Sequence, residues 1–364
     1  MYQMLLFAGP SGYLFRPCLG DNARRAAHQT PELLQELNVP EGQTLHVLTP
    51  EATEQIPLPY PEAIPQQPSE RYSVRDIIRR VINTLSEDNL RENLDGLTSF
   101  DNRYYDSVSG RESQRWLFER ISNITTKSVS HTTSSYVSVQ EFEHPWLQNS
   151  IIAQIKGKTD ELVIIGAHLD SLSISDPEGP APGADDDGSG VVSALEAYRA
   201  IISSGIEPNL SIEFHWYAAE EVGWLGSQDV VKAYTQRGAR VRGMLQFDMT
   251  AWVKNGTREE IGILDNCADE GLRNLTTEFV AKYLAIPSVS TKYPLDYCSD
   301  DRAWWEAGYP TIGVLEGTFE NANRLNIHTQ NDRSDISPEF SFSHMLEFSK
   351  LAVAFAMELG GVAG

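Results

Sequence analysis

Five short stretches of this chain end in the residue types that hold metal ions or move protons. They are His168 and Asp170 at the end of LVIIGAHLD, the three aspartates of APGADDDGSG (181–190), and Glu220 and Glu221 in WYAAEEVGWLGS. Asp248 closes VRGMLQFD, and His328 lies in NRLNIHTQND. The adjacent glutamates pose the sharpest question, because small and apolar neighbours predict partial burial for both. Two buried like charges repel and lose hydration, so a metal ion, a basic side chain or a proton must offset them. Mixed imidazole and carboxylate ligands suit Zn2+, and about two histidines with three or more carboxylates can hold two ions.

Each stretch alone has an ordinary structural reading. A strand-end histidine can be a satisfied core residue, ADDDG an acidic turn with an aspartate cap, and a glutamate pair a complement to a helix dipole. Their recurrence at successive strand ends is what singles them out. His215 inside a strand, His344 in the last helix, His28 and His46 before a proline-rich stretch, and His131 and His144 beside a presumed edge strand receive no role.

The elements that must position these groups follow from periodicity. Ser73 reads as an N-cap with Asp76 three residues on, and apolar residues follow at helical spacing to Leu85. A second amphipathic stretch covers Ser113 to Ile121. From residue 160 the pattern alternates: strands at 162–168, 210–218, 241–248, 261–265 and TIGVLEG, with helices at 190–203, 226–237, 269–285 and 341–359. Alternation of this kind predicts a three-layer α/β/α fold with a mixed, mainly parallel sheet. In such folds ligands collect at the carboxyl ends of the strands, where the five stretches fall.

Composition narrows the function. With 364 residues and 41% hydrophobic content, the chain can bury one large domain. Its net charge of -22 argues against nucleic acid as a partner. No apolar run approaches the length of a membrane span. Residues 49–68 hold six prolines and read as an extended linker. The expected organisation is therefore an N-terminal extension or propeptide-like segment over 1–70 and a catalytic domain over 71–364. The first residues, MYQMLLFAGPSGYLF, lack a basic stretch and make a poor signal peptide. The three cysteines, Cys18, Cys267 and Cys298, are widely spaced, so no disulfide scaffold and no cysteine zinc cluster is expected.

GAHLDS, APGADDDGSG, YAAEEVGWLGSQD, QFDMT, CSDDRAWWEAGYP and IHTQND together resemble, block by block, the secreted bacterial leucyl aminopeptidases with co-catalytic zinc ions. The resemblance runs from about residue 73 to 345 and includes FDNRYYDSVSG (100–110). It implies two zinc ions per chain bridged by Asp186, one completed by His168 and Asp248, the other by Glu221 and His328. It places the general base at Glu220 and the partner that orients His168 at Asp170. It also implies a cis peptide between Asp186 and Asp187, and a substrate pocket lined by Met249, Ile263 and Phe319 with Tyr297 nearby. The family's bacterial prototype has a disulfide ending at the cysteine of CSD; its partner position is Pro294 here, which implies a free Cys298. A tyrosine that assists the reaction in the family falls on Asp296, beside Tyr297, and Asp301 stands where the family's SDH has histidine, a position not counted as a ligand.

The function so implied is a zinc-dependent, secreted aminopeptidase, expected as a monomer, acting on peptides with a free N-terminus and an apolar first residue. A metal-activated water would attack the scissile carbonyl while Glu220 handles its proton. The nearest alternatives are a glutaminyl-cyclase-like enzyme with one zinc and a catalytically inactive binding protein on the same scaffold. A carboxypeptidase or dipeptidase ranks lower, because Arg302 and Arg324 are the motifs' evident cations for a substrate carboxylate.

Overall fold

The computed structural model describes residues 73–128, 136–294 and 297–362. The proline-rich segment, the expected boundary near residue 70, Cys18, His28, His46, His131 and Asp296 lie outside these residues.

An eight-stranded mixed sheet organises the domain. Its strands are β1 (Val137–Phe142), β2 (Ser150–Ile155), β3 (Thr159–His168), β4 (Leu210–Tyr217), β5 (Val241–Phe247), β6 (Ile261–Leu264), β7 (Ser288–Thr291) and β8 (Thr311–Leu315). They run in the order β1-β2-β4-β3-β5-β8-β6-β7. The central strands β4, β3, β5 and β8 are parallel neighbours; β1 and β2 pair antiparallel with theirs, and β6 pairs antiparallel with β8 and parallel with β7.

β3 explains why the middle is parallel. Val163, Ile165 and Ala167 enter one core cluster, while Leu162 and Ile164 enter the cluster on the opposite face. A strand apolar on both faces needs helices on both sides. α1 (Val74–Ile82), α2 (Glu87–Leu97), α3 (Val108–Ser128), α4 (Gly190–Ser204), α6 (Glu270–Tyr283) and α8 (Phe342–Gly360) cover the first face, and α5 (Leu225–Gln236) and α7 (Asp301–Glu306) the second. The expected cap of α1 is present: Ser73 Oγ accepts from Asp76 N–H at 3.2 Å, and Asp76 accepts in return from Ser73.

β3 is also where the chain reverses its winding. The connection from β3 to β4 passes through α4 on one face, and that from β4 to β5 through α5 on the other. Crossovers that leave a strand on opposite faces open a crevice at its carboxyl end, the usual ligand position in such sheets. His168 ends β3, and Glu220 and Asp248 follow β4 and β5 at this point.

One expectation needs correction. Cys298 is not free: it is disulfide-bonded to Cys267, with Cα atoms 6.4 Å apart and a sequence separation of 31. Cys267 follows the end of β6 and Cys298 precedes α7, so the fold joins residues that local spacing would not pair.

Candidate metal and proton-transfer site

Two groups of possible metal ligands form at the crevice and share one residue. His168, Asp186 and Asp248 make the first, and Asp186, Glu221 and His328 the second. Within each, one ligand atom per residue lies within 4.8 Å of the others. His168 Nε2 is 3.0 Å from Asp186 Oδ1 and 3.9 Å from Asp248 Oδ1. His328 Nε2 is 3.0 Å from Asp186 Oδ2 and 2.9 Å from Glu221 Oε2. The two oxygens of Asp186 thus face different imidazoles, as a bridging carboxylate does.

The three consecutive aspartates do different work. Asp186 lies at the centre and is joined to Asp187 by a cis peptide bond. Asp187 accepts from the backbone N–H groups of His168 (3.1 Å), Gly190 (3.0 Å) and Met249 (3.1 Å), tying the ends of β3 and β5 to the start of α4. Asp185 accepts from Ala251 N–H at 3.1 Å and from Asn323 Nδ2 at 3.0 Å. Asp332 closes the arrangement from the far end of the His328 loop, accepting from Asp185 N–H at 2.9 Å and Asp186 N–H at 3.0 Å.

Asp170 holds the glutamate pair in place. Its two oxygens accept from the backbone N–H groups of Glu220 (3.0 Å) and Glu221 (3.2 Å), and Oδ1 lies 3.6 Å from His168 Nδ1. Glu220 belongs to neither ligand group, yet Oε2 is 4.0 Å from His168 Nε2 and Oε1 accepts from the Tyr297 hydroxyl at 3.3 Å. Tyr297 is 43% exposed, so the glutamate sits between the buried ligands and the open side.

The electrostatics fit cations at this position. Burial pushes Glu221 up to about 7 against the pull of His328, and Asp248 up to about 6 against the pull of His168. Burial also holds Glu220 well above the usual carboxylate range, and Asp248, Asp300 and Glu221 add to the rise. Burial alone would depress His168 and His328. Neighbouring carboxylates reverse that and hold both imidazoles well above their ordinary range. Asp186 moves the other way: burial opposes its charge, but hydrogen bonds from the two histidines keep it far below the usual carboxylate value. The carboxylates thus favour positive charge at both imidazoles, and divalent ions would satisfy the same carboxylates. Glu221 Oε1 is buried without a hydrogen-bond partner, as an atom reserved for a ligand would be. The donor set of imidazole nitrogen and carboxylate oxygen suits zinc.

The residues named for an apolar pocket separate. Met249 and Phe319 join Leu264, Tyr293 and Leu315 in a small cluster beside the site. Ile263 does not: it packs in the main core, and Leu264 joins the small cluster instead, a one-residue shift that turns a strand residue to the opposite face. Asp301 is buried, is raised to about 7 by burial, and belongs to neither ligand group. His215, His144 and His344 serve the structure. His215 bridges Tyr217 and Glu213, His144 contacts Asp229 and Ser150, and His344 contacts Glu259 and a backbone carbonyl. The supporting residues Asp185, Asp187 and Asp332 carried no assigned role in the sequence, although each lies in a block recognised there.

Residues 150–351 match the peptidase family M28. The chain is 42% identical over 294 residues to leucine aminopeptidase 1 of Emericella nidulans, covering 78% of this chain and 73% of that protein. The crystal structure of Legionella pneumophila LapA aminopeptidase superposes with a TM-score of 0.72 at 30% identity, covering 81% of this chain and 78% of that one. A glutaminyl cyclase from Porphyromonas gingivalis shares the fold at 17% identity with a TM-score of 0.59, covering 74% of this chain and 97% of its own.

Proposed function

Since the chain belongs to peptidase family M28, whose members are co-catalytic zinc exopeptidases, we propose a role for each residue of its site. The protein is a zinc aminopeptidase, a hydrolase of peptide bonds. Two zinc ions per chain are held by His168, Asp186 and Asp248 and by Asp186, Glu221 and His328. The observation that carries this reading is the sharing of Asp186 between two imidazole-carboxylate groups, with Glu220 beside both and a member of neither.

Bound zinc supplies positive charge that acidifies water and polarises a carbonyl. The chain's own residues do the rest. Glu220 takes the proton of the attacking water at Oε2 and returns it to the departing amine. Burial and neighbouring carboxylates raise its proton affinity, which suits a group that must hold a proton between two steps. Tyr297 donates to Glu220 Oε1 and stands where it can also meet substrate oxygen. Asp170 fixes the His168 ring and, through two backbone bonds, the direction in which Glu220 leaves β4.

The substrate is a peptide with a free α-amine, whose first side chain lies against Met249, Leu264 and Phe319. An apolar surface of that size favours Leu-like residues. The enzyme acts outside the cell as a monomer, with residues 1–70 as a separate extension of the catalytic domain. The test is release of p-nitroaniline from leucyl-p-nitroanilide before and after chelation, with zinc restored, on the full chain and after trimming of residues 1 to about 70. Chelator-sensitive activity with leucyl preferred over glutamyl substrate is expected. No such activity in either form would overturn the reading.

A further inference from the structure

The block FDNRYYDSVSG takes no part in the chemistry above, yet its arginine lies against the site. Arg103 is fully buried. Its Nε donates to the carbonyl of Leu169 at 2.9 Å, its Nη2 to Gly183 at 3.0 Å, and its Nη1 to Pro182. Leu169 separates His168 from Asp170, and Pro182 and Gly183 open the turn that delivers Asp186. One planar guanidinium therefore ties the segment with the first imidazole to the segment with the bridging carboxylate.

The surrounding bonds reinforce that tie. Arg103 N–H donates to Ser171 Oγ at 3.0 Å, and Ser171 Oγ donates to Ala181 O at 2.7 Å. Gly183 has φ +56°, and a Cβ there would lie 2.9 Å from Arg103 Nη2, so the turn passes too close for any side chain. Burial works against the guanidinium charge, while Asp332, Asp170, Asp187 and Asp186 support it. Arg103 thus lies in the field of the bridging aspartate and of the carboxylates that orient the site.

We propose that Arg103 is a positioning residue for the zinc centre: it fixes the separation of His168 and Asp186 and so sets the affinity of the site for its metals. The proposal rests on the assignment of those residues as zinc ligands. Charge and geometry make opposite predictions here. A nearby positive charge repels a cation, so removing it without moving the loops tightens zinc binding. Loss of the fork lets the two loops drift and weakens it.

The experiment compares the wild-type chain with Arg103→Lys, Arg103→Gln and Ser171→Ala, each checked for folding by circular dichroism. Zinc affinity is read by competition with a chromophoric chelator, and kcat and KM on leucyl-p-nitroanilide at saturating zinc. Lysine keeps the charge but lacks the planar fork whose separate nitrogens reach the carbonyls of Leu169, Pro182 and Gly183. Both Arg103 variants are expected to bind zinc about tenfold or more weakly, with kcat reduced and KM little changed; Ser171→Ala shifts the same way by a smaller factor. Folded Arg103 variants with wild-type or tighter zinc binding would overturn the proposal, as would a lower melting temperature with unaltered zinc affinity. If neither Arg103 variant folds, wild-type affinity in Ser171→Ala overturns it. A wild-type chain that binds zinc without peptidase activity defeats the aminopeptidase reading and leaves this comparison intact, whereas a chain that binds no zinc defeats both.

Discussion

Replacing Glu220 by glutamine removes a charge and a proton acceptor while keeping the shape. The side chain is buried, 3% exposed, and its backbone N–H stays fixed by Asp170 at 3.0 Å, so the segment has no reason to move. Neither ligand group includes Glu220. Zinc content in Glu220→Gln should therefore match the wild type. A positioned general base contributes about 10²–10⁴-fold to rate, or about 3–5 kcal/mol of barrier, and kcat should fall by that factor. Glu221→Gln differs, because Glu221 Oε2 lies 2.9 Å from His328 Nε2 within the second group, so zinc binding itself should weaken. Metal analysis after gel filtration, paired with initial rates on leucyl-p-nitroanilide, separates the two. Thermal unfolding of the metal-free proteins gives an independent sign. Glu220 is held above its unfolded value of 4.5 in the folded chain, so its contribution is fully present below that pH and lost as pH rises. Metal-free Glu220→Gln should then melt above the metal-free wild type at pH 8, the gap closing toward pH 4. Equal zinc loss in both variants, or near-wild-type turnover in Glu220→Gln, would refute the assignment of roles.

Zinc affinity should fall as pH drops through about 7 and then about 6, where Glu221 and Asp248 take up protons that the metal must displace. Titration calorimetry in buffers of different ionisation enthalpy should show more protons released per zinc at pH 6 than at pH 8, and pH-independent binding would contradict the ligand assignment. Asp332→Asn keeps the size of the side chain but can offer only one acceptor oxygen to the two N–H groups of Asp185 and Asp186. It should cost about 1.5–3 kcal/mol by denaturant unfolding and weaken zinc binding, since the freed N–H belongs to the segment carrying Asp186.

The site was legible because its residues sit at the ends of strands whose apolar runs are hard to misread. LVIIGAH, LSIEFHWY and VRGMLQF announce buried parallel strands; His168 ends the first, and Glu220 and Asp248 follow the others directly or within a few residues. What escaped depended on contacts between distant parts of the chain. Asp332 bonds to residues 146 and 147 positions away, and no local pattern marks it as more than a loop aspartate. Arg103 reads as one cation in an aromatic block until the turn at 182–183 folds over it. β7 is four residues of Ser, Val and Thr with no apolar signature. Ile263 and Leu264 are equally apolar neighbours, so composition alone could not say which joined the small cluster. The Cys267–Cys298 bridge joins residues brought together by the sheet, where the expected partner position held proline.

Five of the buried acids around this crevice, Asp170, Asp186, Asp187, Glu221 and Asp332, differ in what faces them. Asp170, Asp187 and Asp332 are each bound by backbone N–H groups, fixed donors that satisfy a carboxylate permanently. Such groups shape the site and have no oxygen to spare for a cation. Asp186 faces two imidazoles, and Glu221 keeps one oxygen against His328 and the other without a partner. These carboxylates face histidine nitrogens, whose protons a metal ion can displace, whereas a backbone donor cannot leave. Among these five acids, immovable donors hold Asp170, Asp187 and Asp332, and exchangeable ones face Asp186 and Glu221. The glutamate pair follows the same rule. Asp170 secures both residues through their backbone, which leaves Glu221 free to bind a cation and Glu220 free to carry a proton.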